Sequence, residues 1–157
     1  FSTTSVVIKH AIDWFTSNGY TVDDVCCLYA TAPFITKEII SQAHELSKEN
    51  PNGFCISVGK FPYPIQRALR MDEFNRLDMI DQREALTRSQ DVAESYHDAG
   101  QFYWGKASSF ASEKQFFSGD SVAFVLPHYL VNDIDTEDDW ILAEVMRGVL
   151  SQLDLIK

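Results

Sequence analysis

Two short apolar runs separated by a helical pattern constrain this chain more than any other feature. The first, Val25-Cys26-Cys27-Leu28-Tyr29, follows Asp23 and Asp24 and closes at Thr31-Ala32-Pro33. The second runs from Phe54 to Val58 and opens at the turn cluster Asn50-Pro51-Asn52-Gly53. Continuous apolar runs this short suit strands buried on both faces. Between them Thr36 stands where an N-cap belongs, and Ile39, Ile40, Ala43 and Leu46 share one helical face. A strand, helix, strand unit predicts parallel pairing of its strands through a right-handed crossover.

The flanking segments extend the pattern. Val7, Ile8, Ala11, Ile12 and Phe15 recur at helical spacing between Thr4 and Ser17, and Asn18-Gly19 ends that helix. Phe61 to Arg70 reads as loop plus strand, and Arg88 to His97 as polar and irregular. Gln101 to Trp104 and Val122 to Leu126 read as strands, with Tyr129 to Ile134 extending the sheet. From Glu137 to about Leu153, the residues Trp140, Ile141, Ala143, Val145, Met146, Val149, Leu150 and Leu153 give a helix with a wide apolar face. The expected class is α/β, with helices covering a mostly parallel sheet.

The 157 residues suit one domain, and 45% hydrophobic residues supply a core. Net charge is −10, from 13 basic and 23 acidic residues, with no cluster of Lys and Arg. That argues against a nucleic-acid groove, which needs concentrated positive charge. Cys26, Cys27 and Cys55 are odd in number and lack both a disulfide framework and metal-ligand spacing, so a reducing, cytoplasmic setting is expected. No apolar stretch approaches the roughly 20 residues of a membrane span, and no membrane partner is expected.

The sharpest candidate for chemistry is Asn132-Asp133-Ile134-Asp135-Thr136-Glu137-Asp138-Asp139. On a strand, Asp133 and Asp135 would point to one face. Paired carboxylates repel unless a cation sits between them, and hard oxygen ligands suit Mg²⁺. Thr136 with Asp139 offers a capping box, and Glu137, Asp138 and Asp139 favour the positive end of the helix dipole. Capping accounts for those four residues but not for Asp133 and Asp135, so spacing alone leaves a metal role and an ordinary acidic loop both open.

Three weaker features accompany it. Tyr29-Ala30-Thr31 ends a strand in a loop, which is equally an ordinary strand-to-helix turn. Arg88 offers a fork of hydrogen bonds for a carboxylate, and Gly100, before Gln101-Phe102-Tyr103, allows close approach of backbone to a ligand. Phe116-Phe117 is either one core and one incidental side chain or a protrusion onto a partner subunit. The four histidines are scattered, and only His97, beside Asp98, is a candidate contact.

Taken in order, four stretches resemble the cytidylyltransferases that activate sialic-type sugars, most closely the pseudaminic acid branch. They are Val25 to Phe34, Phe61-Pro62-Tyr63-Pro64-Ile65-Gln66-Arg67-Ala68-Leu69, Asp98 to Trp104, and Asn132 to Trp140. The resemblance implies a Rossmann-like three-layer fold and a reaction joining CTP to a nine-carbon 2-keto-3-deoxy acidic sugar with release of pyrophosphate. It implies that Asp133 and Asp135 are catalytic ligands of Mg²⁺. It places Tyr29 and Thr31 where nucleotide and sugar meet, Arg88 near the sugar carboxylate and Tyr103 in the sugar pocket, with Gly100 and Gln101 beside it. Gln66 and Arg67 lie in a segment distinctive of the branch. Phe116 and Phe117 would reach into the neighbouring subunit's site, which makes a homodimer with shared sites the expected assembly.

Two departures qualify this. Tyr29 stands where sialic acid synthetases usually carry Gln. The family's phosphate-holding loop, Ala-Arg-x-Gly-Ser-Lys followed by Lys-Asn, has no counterpart among the 157 residues. The expectation is therefore a C-terminal portion of one cytidylyltransferase domain, with the first strands and the nucleotide-holding segment missing and no activity of its own. Two alternatives stay open: a non-catalytic sugar-binding or dimerisation module, and the same enzyme class acting on an N-acetylneuraminic, legionaminic or Kdo-type sugar.

Overall fold

A computed structural model of the protein describes residues 3–82, 88, 91–112 and 114–156. The elements run α1 (Thr4–Ser17), β1 (Asp24–Leu28), α2 (Lys37–Lys48), β2 (Phe54–Lys60), β3 (Leu69–Met71), β4 (Leu77–Met79), β5 (Tyr96–Lys106), α3 (Ala107–Ala111), β6 (Val122–Val125) and α4 (Glu137–Gln152). Short 3-10 turns occupy Ile65–Arg67 and His128–Leu130. The class is α/β, as the sequence pattern implies.

The main sheet has the order β1-β5-β2-β6. β5 is antiparallel to both β1 and β2, and β2 is parallel to β6. β1, β2 and β6 therefore run the same way, with β5 inserted against them. This corrects the expected direct pairing of β1 with β2. The crossover helix and the shared direction are present, but β5 occupies the slot between the two strands. Periodicity identifies strands and their length; it does not identify neighbours as far apart as Cys55 and Trp104 or Cys26 and Trp104, which are chosen by tertiary packing.

Side-chain alternation along the strands builds a layer on each face of the sheet. Phe54, Ile56 and Val58 of β2 join Tyr103 of β5, and Val25 and Cys27 of β1, against Ile8 and Ile12 of α1 and Ala107 and Phe110 of α3. Cys55, Phe102 and Cys26 face the other way, onto Ala43, Ile39, Ile40 and Leu46 of α2. Thr36 caps α2 as expected, its hydroxyl accepting the Ile39 N–H at 3.3 Å. The capping box of α4 is also formed: Thr136 Oγ1 accepts the Asp139 N–H at 3.3 Å, and Asp139 Oδ2 accepts the Thr136 N–H at 2.8 Å.

Three further elements differ from expectation. Tyr129–Ile134 is not a strand: His128–Leu130 forms a 3-10 turn after Pro127, and the chain continues without sheet pairing to α4. The wide apolar face of α4 is only partly covered. Ala143 and Leu150 are buried beside Phe34, Leu130 and Ile156, while Trp140, Ile141, Val145, Val149 and Leu153 remain exposed. The segment after Phe61 forms a ribbon, β3 with β4, in which Leu69 pairs with Met79 and Met71 with Leu77. Directly opposed residues share a face, so these four apolar side chains line one side of the ribbon and Arg70 and Asp78 the other.

One irregularity in the sheet positions the site. β2 and β5 pair regularly at Ile56–Tyr103 and again at Val58–Asp98, so one residue of β2, Ser57, spans four of β5. The excess of β5 forms a bulge. Ser57 is fully buried, and its hydroxyl patches the gap by donating to the Phe102 carbonyl (3.1 Å) and accepting the Phe102 N–H (2.9 Å). Bulges of this kind re-aim backbone and side chains and recur next to functional sites.

Candidate functional site

The carboxyl ends of β1, β2 and β6 lie at the edge of the sheet where β5 begins, which is where open α/β sheets bind ligands. The bulge of β5 supplies the floor. Within it Asp98 Oδ1 accepts the Gly100 N–H at 3.0 Å, and the Tyr103 hydroxyl donates to Asp98 Oδ2. Gly100 takes φ 62°, a left-handed conformation that other residues resist. A methyl group on Gly100 would fall 2.9 Å from Cγ of Asp133 and closer still to its Oδ2. The close approach that a glycine was expected to allow is therefore made by a carboxylate of the same chain.

Backbone hydrogen bonds tie the other candidate segments to this floor. Tyr29 N–H donates to the Gln101 carbonyl at 2.9 Å, and Ile134 N–H to the Thr31 carbonyl at 3.3 Å. Tyr29, Thr31, Gly100 and Asp133 are thus brought together from three distant parts of the sequence. Asp133 and Asp135 are both exposed, and among the described residues neither carboxylate has a cationic or hydrogen-bonding partner. The strand alternation that would have aligned them is absent, because residues 131–135 form a loop without sheet pairing. Asp139 helps to fix it, its Oδ2 accepting the Asp135 N–H at 3.2 Å.

The donor set fits Mg²⁺ in kind. Two unpartnered carboxylates offer hard oxygens, and the space left at Gly100 cradles one of them. Among the described residues no group of three or more His, Cys, Asp or Glu side chains gathers as a complete cage. A pair of carboxylates with the remaining positions left to water and substrate phosphate is the usual Mg²⁺ arrangement.

The other sequence-derived candidates fall in different surroundings. Gln101 is buried at 0% exposure, and its amide nitrogen donates to the Leu130 carbonyl at 2.7 Å, so it braces β5 against the segment leading to Asp133. Among the described residues, its Oε1 and the Oδ1 of Asn132 are buried without partners. Tyr103 is also buried, with its ring stacked on Phe116 at 4.6 Å and edge-on to Tyr29 at 5.7 Å. Burial first, and then the Asp98 carboxylate, push its hydroxyl far above the usual tyrosine range, so it stays protonated and acts as a donor. Both residues hold up the floor of the site and are not open to a ligand entering from solvent.

Phe116 and Phe117 separate. Phe116 packs into its own chain, against Tyr103, Phe54 and Phe110, while Phe117 is 67% exposed. Only Phe117 is free to meet a partner. Gln66 donates to the Ala93 carbonyl at 3.3 Å, and Arg67 is exposed in the same turn. Arg88 is exposed, and its carbonyl accepts the Asp91 N–H at 2.9 Å. His97 packs edge-on to Phe61 and lies over Gly59. The residue that sequence inspection passed over is Asp98. It opens the stretch Asp98 to Trp104, yet its two hydrogen bonds carry no sequence signal beyond the short Asp-x-Gly spacing of an Asx turn.

Comparison with known proteins bears on what this floor serves. Over 149 residues, 95% of the chain, it is 40% identical to a pseudaminic acid cytidylyltransferase from Campylobacter jejuni subsp. jejuni serotype O:2. The chain is a homologue of pseudaminic acid cytidylyltransferases. A protein of the same name from serotype O:23/36 is also 40% identical over 149 residues. The match extends to a Helicobacter pylori protein named as both a pseudaminic acid cytidylyltransferase and a UDP-2,4-diacetamido-2,4,6-trideoxy-beta-L-altropyranose hydrolase, 31% identical over 113 residues, 71% of this chain and 22% of that protein. No family model matches the chain. The chain spans 64% of the length of the Campylobacter relatives. Among the described residues, no helix is long and apolar enough to cross a membrane.

Proposed function

We propose that the polypeptide containing this chain transfers CMP from CTP to pseudaminic acid. The observation that carries the proposal is the 40% identity to pseudaminic acid cytidylyltransferases over 95% of the chain. The gathering of Tyr29, Thr31, Gly100 and Asp133 at the carboxyl ends of the strands supports it. In the proposed reaction the anomeric hydroxyl oxygen of the sugar attacks the α-phosphorus of CTP. The new P–O bond replaces the bond to the bridging oxygen, pyrophosphate leaves, and the hydroxyl proton passes to solvent.

Asp133 and Asp135 would hold Mg²⁺, which when bound offsets phosphate charge and favours the ionised attacking oxygen. Asp133 is held against the floor at Gly100, and Asp135 follows it in a loop fixed by Asp139. Tyr29 and Thr31 bound the same space from the end of β1, and Arg88 would pair with the sugar carboxylate from outside the sheet. Positioning and electrostatics supply most of the acceleration in this chemistry, because the protein need form no covalent bond to the substrate.

The proposal includes a homodimer. Exposed Phe117 and the apolar side of the β3–β4 ribbon, where Leu69, Met71 and Leu77 are each more than half exposed, are the surfaces that support it. Sedimentation of the natural polypeptide should give a dimer that Phe117→Ala weakens; a monomer at all concentrations would remove this part. The substrate is tested by pyrophosphate release with CTP and, side by side, pseudaminic, N-acetylneuraminic, legionaminic and Kdo-type sugars. Preference for pseudaminic acid supports the proposal. Preference for another sugar reassigns the substrate, and no turnover with any of them favours a binding module.

A further inference from the structure

We propose that Asp98 is a positioning residue that sets the orientation of the Asp133 carboxylate through Gly100. This rests on the assignment of Asp133 as a metal ligand. The chain of contacts is short. Asp98 Oδ1 accepts the Gly100 N–H at 3.0 Å, while its Oδ2 accepts the Tyr103 hydroxyl, so the carboxylate ties Gly100 within the bulge to Tyr103 at its end. The first bond closes an Asx turn that holds Gly100 at φ 62°. The second anchors that turn to a buried ring, itself in contact with the rings of Tyr29 and Phe116. Gly100 then presents a bare Cα to Asp133, with Cγ of Asp133 only 2.9 Å from where a Cβ would stand. Among the described residues no donor holds the Asp133 carboxylate directly. Its rest position is therefore defined by the shape of the floor, and Asp98 defines that shape.

Asp98 is exposed, and its replacement removes no core volume. Tyr103 binds it as a neutral donor, so the pair is a hydrogen bond and not a charge pair. What Asp98 contributes to the site is geometry, and loss of geometry around a metal ligand weakens metal binding by about 10- to 100-fold.

The test measures Mn²⁺ binding by electron paramagnetic resonance on the natural full-length polypeptide without CTP or sugar, for wild type, Asp98→Ala, Asp98→Asn, Gly100→Ala and Asp133→Ala. Asp98→Ala should weaken Mn²⁺ about tenfold or more. Asp98→Asn keeps an acceptor for the Gly100 N–H while losing the charge, and should bind within about threefold of wild type; this separates the hydrogen bond from the loss of a nearby negative charge. Gly100→Ala should weaken Mn²⁺ at least as much as Asp98→Ala, because the methyl displaces the end of the Asp133 side chain and also strains the left-handed backbone at this position. Thermal melts accompany each titration. If Asp98→Ala does not fold, Asp98→Asn and Gly100→Ala carry the comparison. Wild-type affinity in Gly100→Ala, or equal weakening in Asp98→Asn and Asp98→Ala, overturns the positioning role while a weakened Asp133→Ala leaves the metal assignment standing. Unchanged Mn²⁺ binding in Asp133→Ala overturns both.

Discussion

Replacing Ser57 by Ala should destabilise the protein out of proportion to the single oxygen it removes. Ser57 has 0% exposure and sits where β2 and β5 lose register. Its hydroxyl both donates to the Phe102 carbonyl (3.1 Å) and accepts the Phe102 N–H (2.9 Å), taking the place of the missing backbone ladder. In the variant the Phe102 N–H is left buried without an acceptor, which costs about 1–3 kcal/mol. For a domain of this size 1 kcal/mol shifts the melting temperature by about 2–4 °C, so a fall of about 2–12 °C is expected. Ser47→Ala is the matched control. Ser47 is also buried, but its hydroxyl only donates to the His44 carbonyl of its own helix at 2.7 Å, a bond whose loss is close to neutral. Scanning calorimetry gives the melts, and hydrogen exchange resolved at the Phe102 amide reports the bond itself. A Ser57→Ala melt no lower than that of Ser47→Ala, or unchanged protection of the Phe102 amide, would refute the role assigned to this hydroxyl.

Other properties follow from the same contacts. Burial pushes the Cys26 thiol up to about 12 and the Cys55 thiol to about 11, so at pH 8 both should resist alkylation until the protein unfolds; rapid labelling of native protein by iodoacetamide would contradict this. The Lys106 ammonium, and after it His44, holds the Asp24 carboxyl below the usual carboxylate range. A lowered folded-state value means stability that is present above the unfolded carboxylate range, about pH 4, and lost as pH falls through the folded value. The stability gap between wild type and Asp24→Asn should therefore close on acidification, and a gap that widens would oppose the assignment. Thr136→Ala removes the capping box of α4 and should lower stability by about 1 kcal/mol, read by urea denaturation.

The local signals in the sequence carried well where one segment decides its own conformation. Thr36 and Thr136 cap the helices they precede, and the ends of α1 and the start of β2 fall where periodicity and turn residues put them. What the sequence did not carry is pairing. β5 fits between β1 and β2 because Cys26 and Cys55 both register with Trp104 across it, a relation among residues 29 to 78 positions apart that no local pattern encodes. The expected strand at Tyr129–Ile134 failed because Pro127 sets a 3-10 turn where the apolar spacing alone suggested extension. The strand expected within Phe61 to Arg70 overlaps β3, whereas β4 was missed because it is three residues long and its Leu77 stays exposed. Within the site, residue types were legible and geometry was not. Asp133 stands out by its acidic run and Tyr29 and Thr31 only through the family resemblance, whereas the bulge that gathers them depends on Ser57 filling a gap in the sheet. Gly100 was expected to let a ligand approach the backbone; in the fold it is the Asp133 side chain that approaches.

The central claim is tested most directly by pyrophosphate production from CTP, Mg²⁺ and pseudaminic acid, with wild-type natural polypeptide compared with Asp133→Ala and Asp135→Ala. Wild type should turn over steadily and each variant should lose about 100-fold or more, with melting temperatures unchanged because both side chains are exposed. Full activity in both variants would contradict the metal site, and a folded wild-type protein that releases no pyrophosphate would contradict the proposed reaction itself.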